Sequence, residues 1–137
     1  PKELSQMLNK LKNDKYDFVF ASRYEKNCGS DDDTFITLVG NYIFTLLGRI
    51  FFKLKITDIL YTFVMGKTLC AKNLNLVAKD FSFCVELPIK AKRNNYKICT
   101  SKSFERARIA GEKKVNAFRD GLKILFSMIK LFFGLKI

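Results

Sequence analysis

Few side chains in this 137-residue sequence have the chemistry of a catalyst. Histidine is absent, which removes Ser-His-Asp and Cys-His nucleophile systems and most zinc sites. Asp58 closes the loop Ile56-Thr57-Asp58, between an apolar helical pattern and a strand pattern. An acid there is either a cap or turn residue, or a group that orients a nucleophile or accepts its proton. Glu86 lies inside Phe83-Cys84-Val85-Glu86-Leu87. A carboxylate in so apolar a run must be paired or functional, because burying it alone is costly. Arg106, Arg108, Lys113 and Lys114 surround Gly111. Flexible backbone with converging cations suits a phosphate or diphosphate, though the same stretch also reads as a solvated loop. The run Asp31-Asp32-Asp33 sends consecutive side chains apart, so it reads as a polar loop rather than a metal site.

The elements that must position these groups follow an α/β rhythm. Leu4, Met7, Leu8 and Leu11 recur at helical spacing over residues 2–13. Tyr16 to Ala21 reads as a short buried strand, with Ser22-Arg23-Tyr24 at its end. Residues 25–34 form a polar loop, and Asp33 or Thr34 caps the next helix. That helix, 35–54, carries Leu38, Tyr42, Leu46 and Ile50 on one stripe. Phe35, Ile43, Leu47, Phe51 and Phe52 widen it beyond a core-facing face. Arg49 and Lys53 interrupt it, which favours lying against a membrane or another helix over crossing. Tyr61 to Met65 reads as a strand, 68–78 as helix or turn, and 83–94 as a helix in which Pro88 fits only the first turn. Tyr96 to Thr100 and Ser103 to Arg106 read as strands that can pair, and 107–114 as a basic loop. Residues 115–137 form a last helix with a wide apolar arc. Its narrow face bears Arg119, Lys123 and Lys130, the pattern of a helix in a membrane interface.

Composition bounds the rest. Hydrophobic residues make up 48% and charged residues 28%, the balance of one globular domain. Four cysteines lie far apart, which fits reduced thiols rather than a disulfide scaffold. The net charge of +12 is uneven. Residues 1–87 hold 12 basic and 10 acidic side chains, whereas residues 88–137 hold 13 and 3. So basic a half suits a polyanion or the anionic face of a membrane. The chain opens on Pro1 and runs directly into a helical pattern with no signal peptide, the start expected of a chain cut inside a larger protein.

Four stretches, in order, resemble the second half of a family 2 glycosyltransferase of the polyprenyl-phosphate sugar synthase group. They are Asp17-Phe18-Val19-Phe20-Ala21-Ser22-Arg23-Tyr24, Ile56-Thr57-Asp58, Phe83-Cys84-Val85-Glu86-Leu87 and Arg108-Ile109-Ala110-Gly111-Glu112-Lys113-Lys114. Tyr61-Thr62-Phe63-Val64 departs from the family's Ser-Gly-Phe-Arg, and Lys113 stands where the family has Ser. The resemblance implies a partial GT-A (Rossmann-like) α/β domain over 1–114, the acceptor-side half, followed by an interfacial helix over 115–137. It implies a nucleotide-sugar donor, a lipid-phosphate acceptor and the cytoplasmic face of a membrane. A divalent metal, Mg or Mn, is implied too, held by a donor-nucleotide half that precedes this stretch and not by this chain. On that match Asp58 falls at the catalytic aspartate. Arg23, Arg108 and Lys114 fall at phosphate-facing positions, and Glu86 at the supporting acid.

Two other classes fit parts of the sequence. A non-catalytic basic module could bind nucleic acid through its cations with Tyr96 and Phe104. No recognition helix or aromatic RNA motif is visible, so nucleic acid is not the expected partner. A membrane-peripheral scaffold shares the apolar helices and differs only in lacking a converging site.

Overall fold

The computed structural model describes residues 2–13, 15–111 and 116–135. In chain order its elements are α1 (Lys2–Lys12), β1 (Phe18–Ser22), β2 (Gly29–Ser30), α2 (Phe35–Phe52), β3 (Val64–Gly66), α3 (Thr68–Asn73), α4 (Phe83–Arg93), β4 (Ile98–Lys102), β5 (Phe104–Glu105) and α5 (Ala117–Phe132). The fold is mixed α/β.

Strand β1 is the centre, and all five of its residues are buried. A run of Phe, Val and Phe is what a strand covered on both faces requires. It pairs in parallel with β4, Phe18 opposite Ile98, and antiparallel with β3, Phe18 opposite Gly66. Gly66 is dictated by that neighbour, since a Cβ there would stand 2.5 Å from Phe18 Cδ1. Alternation along β1 then splits the core. Phe18 and Phe20 face a large cluster with Ile56, Ile59, Leu87, Ile89, Ile124, Met128 and Leu131. Val19 and Ala21 face a smaller one with Met7 and Leu11 of α1.

Several sequence expectations need correction. The strand expected at 61–65 lies at Val64–Gly66, and of the stretch 68–78 read as helix or turn, Thr68–Asn73 is helix. The two strands near 100 do not pair with each other. β4 runs beside β1, Ser103 N donates to Ser22 O at 3.0 Å, and β5 then pairs in parallel with β2 inside the loop expected to be irregular. Pro88 is the sixth residue of α4 rather than in its first turn. The ring is fully buried, and that packing offsets the backbone bond its nitrogen cannot make.

Helix α2 is capped as read: Thr34 accepts from Thr37 N at 3.3 Å, and Thr37 Oγ1 accepts from Thr34 N at 2.8 Å. Its orientation inverts the usual rule. The residues it buries are Asn41, Thr45 and Gly48, while Phe35, Tyr42, Ile50 and Phe51 are all more than half exposed. Gly48 lets the helix approach the core, as a Cβ there would stand 2.9 Å from Ile59 Cδ1. By length and composition α2 is the one helix among the described residues that could cross a membrane.

Helix α5 divides its surface. Ile124, Met128 and Leu131 join the core, and Phe118, Phe126, Ile129 and Phe133 stay exposed. Phe132 stacks edge-on against Phe51 and Phe52 at ring centroid distances of 5.6 and 6.1 Å, so the exposed faces of α2 and α5 adjoin.

Because both core layers meet at β1, Phe18→Ala should cost about 3–5 kcal/mol of stability. Urea unfolding with an unchanged m-value measures it, and a loss below about 1 kcal/mol would place the core elsewhere.

Candidate functional site

The carboxyl ends of the parallel strands β1 and β4 open on one edge of the sheet, the position where open α/β sheets place ligands. The chain leaves β1 directly into Arg23, and leaves β4 through Ser103 into Glu105. The loop before β3 enters the same edge with Asp58.

Arg23 and Asp58 lock together there. Arg23 Nε donates to Asp58 Oδ2 at 2.7 Å and Nη2 to Oδ1 at 3.0 Å, a bidentate fork. The Arg23 backbone N–H adds a third bond to Oδ2 at 3.1 Å. Asn41 Nδ2 donates to Oδ1 from α2. Asn41 Oδ1 in turn accepts from Leu60 N at 3.2 Å, and Thr45 Oγ1 accepts from Ile59 N at 3.1 Å. These bonds explain why a helix so apolar buries its polar stripe: Asn41 and Thr45 satisfy the loop that carries Asp58.

Arg23 Nη1 meets two more carboxylates, Glu105 Oε2 at 2.8 Å and Asp33 Oδ1 at 3.3 Å. Its guanidinium carbon lies 4.5 Å from the Tyr61 ring centroid. Burial works against the charge, but Asp58 outweighs it, then Glu105, and the guanidinium pKa is raised. Tyr24 donates its hydroxyl to Asp33 Oδ2. Burial, reinforced by that bond to Asp33, pushes the phenol up to about 12.

Beside this cluster lies a cavity of about 310 Å³, whose lining includes Arg23, Asp32, Asn41, Tyr61, Glu105 and Arg108. Arg108 Nη2 pairs with Asp32 Oδ2 at 3.0 Å, with 41% of the arginine side chain exposed. Such an exposed pair is worth at most about 1 kcal/mol, so an incoming anion can replace the carboxylate. The site residues therefore divide. Arg23, Asp58 and Arg108 are brought to one edge of the sheet. Asp58 has no side-chain exposure and does not line the cavity, and its oxygens are occupied by Arg23 and Asn41. It positions Arg23. Arg23 lines the cavity with its nitrogens already engaged, and Arg108 is the exchangeable cation. Lys114 lies outside the described residues. Cys84 also lines the cavity, but burial pushes its thiol up to about 12, which makes it a poor nucleophile.

Glu86 stands apart. Its carboxylate accepts from Val77 N and Ala78 N, each at 2.9 Å, and pairs with Lys90 Nζ at 2.7 Å. It fastens the loop before α4 to the helix. Burial alone pushes this carboxyl up, but the Lys90 hydrogen bond and the two backbone N–H groups prevail and hold it below its usual value.

The aspartate run offers no metal site. Asp33 is engaged by Arg23 and Tyr24, Asp32 by Arg108, and no group of acids, cysteines or histidines among the described residues is arranged around a cation. Asn41, Thr45, Tyr61 and Glu105 carry no role in the sequence reading, and Tyr24 enters it only as the end of the strand motif. The signal for Asn41 and Thr45 is the small polar stripe Asn41, Thr45, Gly48 at helical spacing in an apolar helix.

Comparison with family models, with curated proteins and with solved structures finds no match to this chain.

Glu86 makes stability pH-dependent in a fixed direction. Its lowered pKa contributes stability that is complete above the unfolded value, near 4.5, and is lost as pH falls through the lower folded value. Glu86→Gln should cost about 1–3 kcal/mol at pH 7. The gap from the parent should narrow as unfolding is measured into that acid range, and a constant gap would contradict the assignment.

Proposed function

We propose that this chain is the acceptor-side part of a family 2 glycosyltransferase. On this reading it presents a lipid phosphate to a nucleotide-sugar donor at the cytoplasmic face of a membrane. The observation that carries the reading is the meeting of two features on α2. One side of the helix borders the cavity with the exchangeable Arg108, through Thr37 and Asn41. The other side exposes a long apolar face that includes Phe35, Tyr42 and Ile50. Between Tyr24 and α2 runs a further groove of about 300 Å³, lined by Leu38, Tyr42, Leu46 and Arg49 with Thr57. A phosphate joined to a long apolar chain is a ligand that answers both features.

The chemistry asks little of the protein. A phosphate monoester has a second pKa near 6 and is largely ionised at neutral pH. Its oxygen attacks the anomeric carbon with inversion as the nucleotide diphosphate leaves with the bonding electron pair. No strong base is needed, which suits a site without histidine. Arg108 neutralises the acceptor phosphate, and Arg23, held by Asp58, Asp33 and Glu105, fixes the cavity wall beside it. No group of acids, cysteines or histidines among the described residues is arranged to hold a divalent metal.

Arg108→Ala should weaken binding of a polyprenyl phosphate to the protein by about tenfold to a hundredfold, the worth of one charge-assisted bond, with unfolding unchanged. Fluorescence titration against detergent-dispersed lipid reads it, with the uncharged polyprenol as control. Equal affinity for phosphate and alcohol would overturn the proposal.

A further inference from the structure

A second basic cavity lies between residues 77–82 and α5. Its volume is about 490 Å³, and it shares no lining residue with the cavity beside Arg23. Lys79, Lys123 and Lys130 line it together with Asp80, Ser82 and Ser127. Positions 123, 127 and 130 follow one another along a single face of α5, so the helix itself holds the two lysines and the serine in register.

The charges there are not balanced. Lys123 reaches Asp80 only at 3.9 Å, and Asp80 Oδ1 already accepts from Ser82 N at 2.9 Å. Lys79 and Lys130 have no acid partner among the described residues. Three cations against one acid leave an excess near that of a phosphate at neutral pH.

The inner wall is polar. Ser82 and Ser127 are 2% and 5% exposed, and Ser127 Oγ donates to Ser82 Oγ at 2.9 Å. The Ser82 side chain in turn bonds the Asp80 carboxylate, so the one acid at the cavity is shared between Ser82 and Lys123. Phe126 lies at the same cavity, 60% exposed, beside the exposed Leu122, Ile129 and Phe133 of α5. A ligand seated on the lysines therefore has an apolar surface next to its head group.

From these features we infer that this cavity binds the phosphate head group of an anionic lipid, with α5 lying along the bilayer surface. The site needs a membrane but no sugar transfer, and it stands whether or not the Arg108 cavity serves a transferase.

The test is co-sedimentation of the whole 137-residue chain with phosphatidylcholine vesicles, with and without phosphatidic acid. Phosphatidic acid should strengthen binding. Lys123→Gln with Lys130→Gln should remove about fivefold per lysine, roughly twenty-five-fold together, at low salt. Lys2→Gln with Lys12→Gln removes the same charge from α1 and should change binding little. Equal losses from the α1 and α5 pairs would reduce the site to general charge attraction and overturn it. So would loss of phosphatidic acid preference in favour of equal binding of inorganic phosphate. The Arg108→Ala loss is read with polyprenyl phosphate in detergent and the lysine-pair loss on vesicles, so failure of the transferase reading and failure of this one give different results.

Discussion

A single guanidinium holds this molecule's functional edge together. Arg23 follows the central strand without a spacer, so the sheet fixes where its side chain begins. Asp58 takes it as a fork from the loop before β3, Asn41 steadies Asp58 from α2, and Glu105 reaches it from β5. Strand, loop, helix and ribbon thus meet at one charge. A buried ion pair is weak evidence of net stability, but its geometry is demanding, because either partner left alone would be an uncompensated charge. That demand fixes the position of every group around it. It also decides what each can do: an aspartate with both oxygens engaged positions, and the exposed Arg108 exchanges.

The same constraint explains the inverted helix. Asn41 and Thr45 must face inward to satisfy Asp58 and the backbone of residues 59 and 60. With the polar stripe inside, Phe44, Leu47 and Phe52 flank it against the core, and Phe35, Tyr42, Ile50 and Phe51 are left outside. Adjoining α5 continues that surface through Phe132 and Phe133. Together they form one contiguous exposed apolar surface. Lys123 and Lys130 stand on α5 itself, beside that surface.

Much of the architecture was legible because it depends on local period. The apolar run at 18–21, the helical spacing of Leu4, Met7 and Leu11, and the cap at Thr34 needed no distant partner to be recognised. Pairing was not legible in the same way. Nothing in a two-residue stretch such as Gly29-Ser30 announces that Phe104-Glu105 will lie beside it. The stripe Leu38, Tyr42, Leu46 was read correctly as a stripe, yet its direction depended on a carboxylate at position 58 that only the fold brings near. Asp58 and Arg23 were each singled out, but separation by 35 residues hid that they answer one another. Glu86 was marked as a buried acid needing partners, and its partners proved to be the backbone just before its own helix.

The most direct test of this account is a double-mutant cycle on the central pair, read by urea unfolding. Arg23→Met and Asp58→Asn should each cost about 3–5 kcal/mol, because each strands the other partner. The double variant should fall short of their sum by at least about 2 kcal/mol, since removing both leaves much less to strand. Additivity within about 0.5 kcal/mol would show that the two side chains do not depend on one another, and would contradict the account.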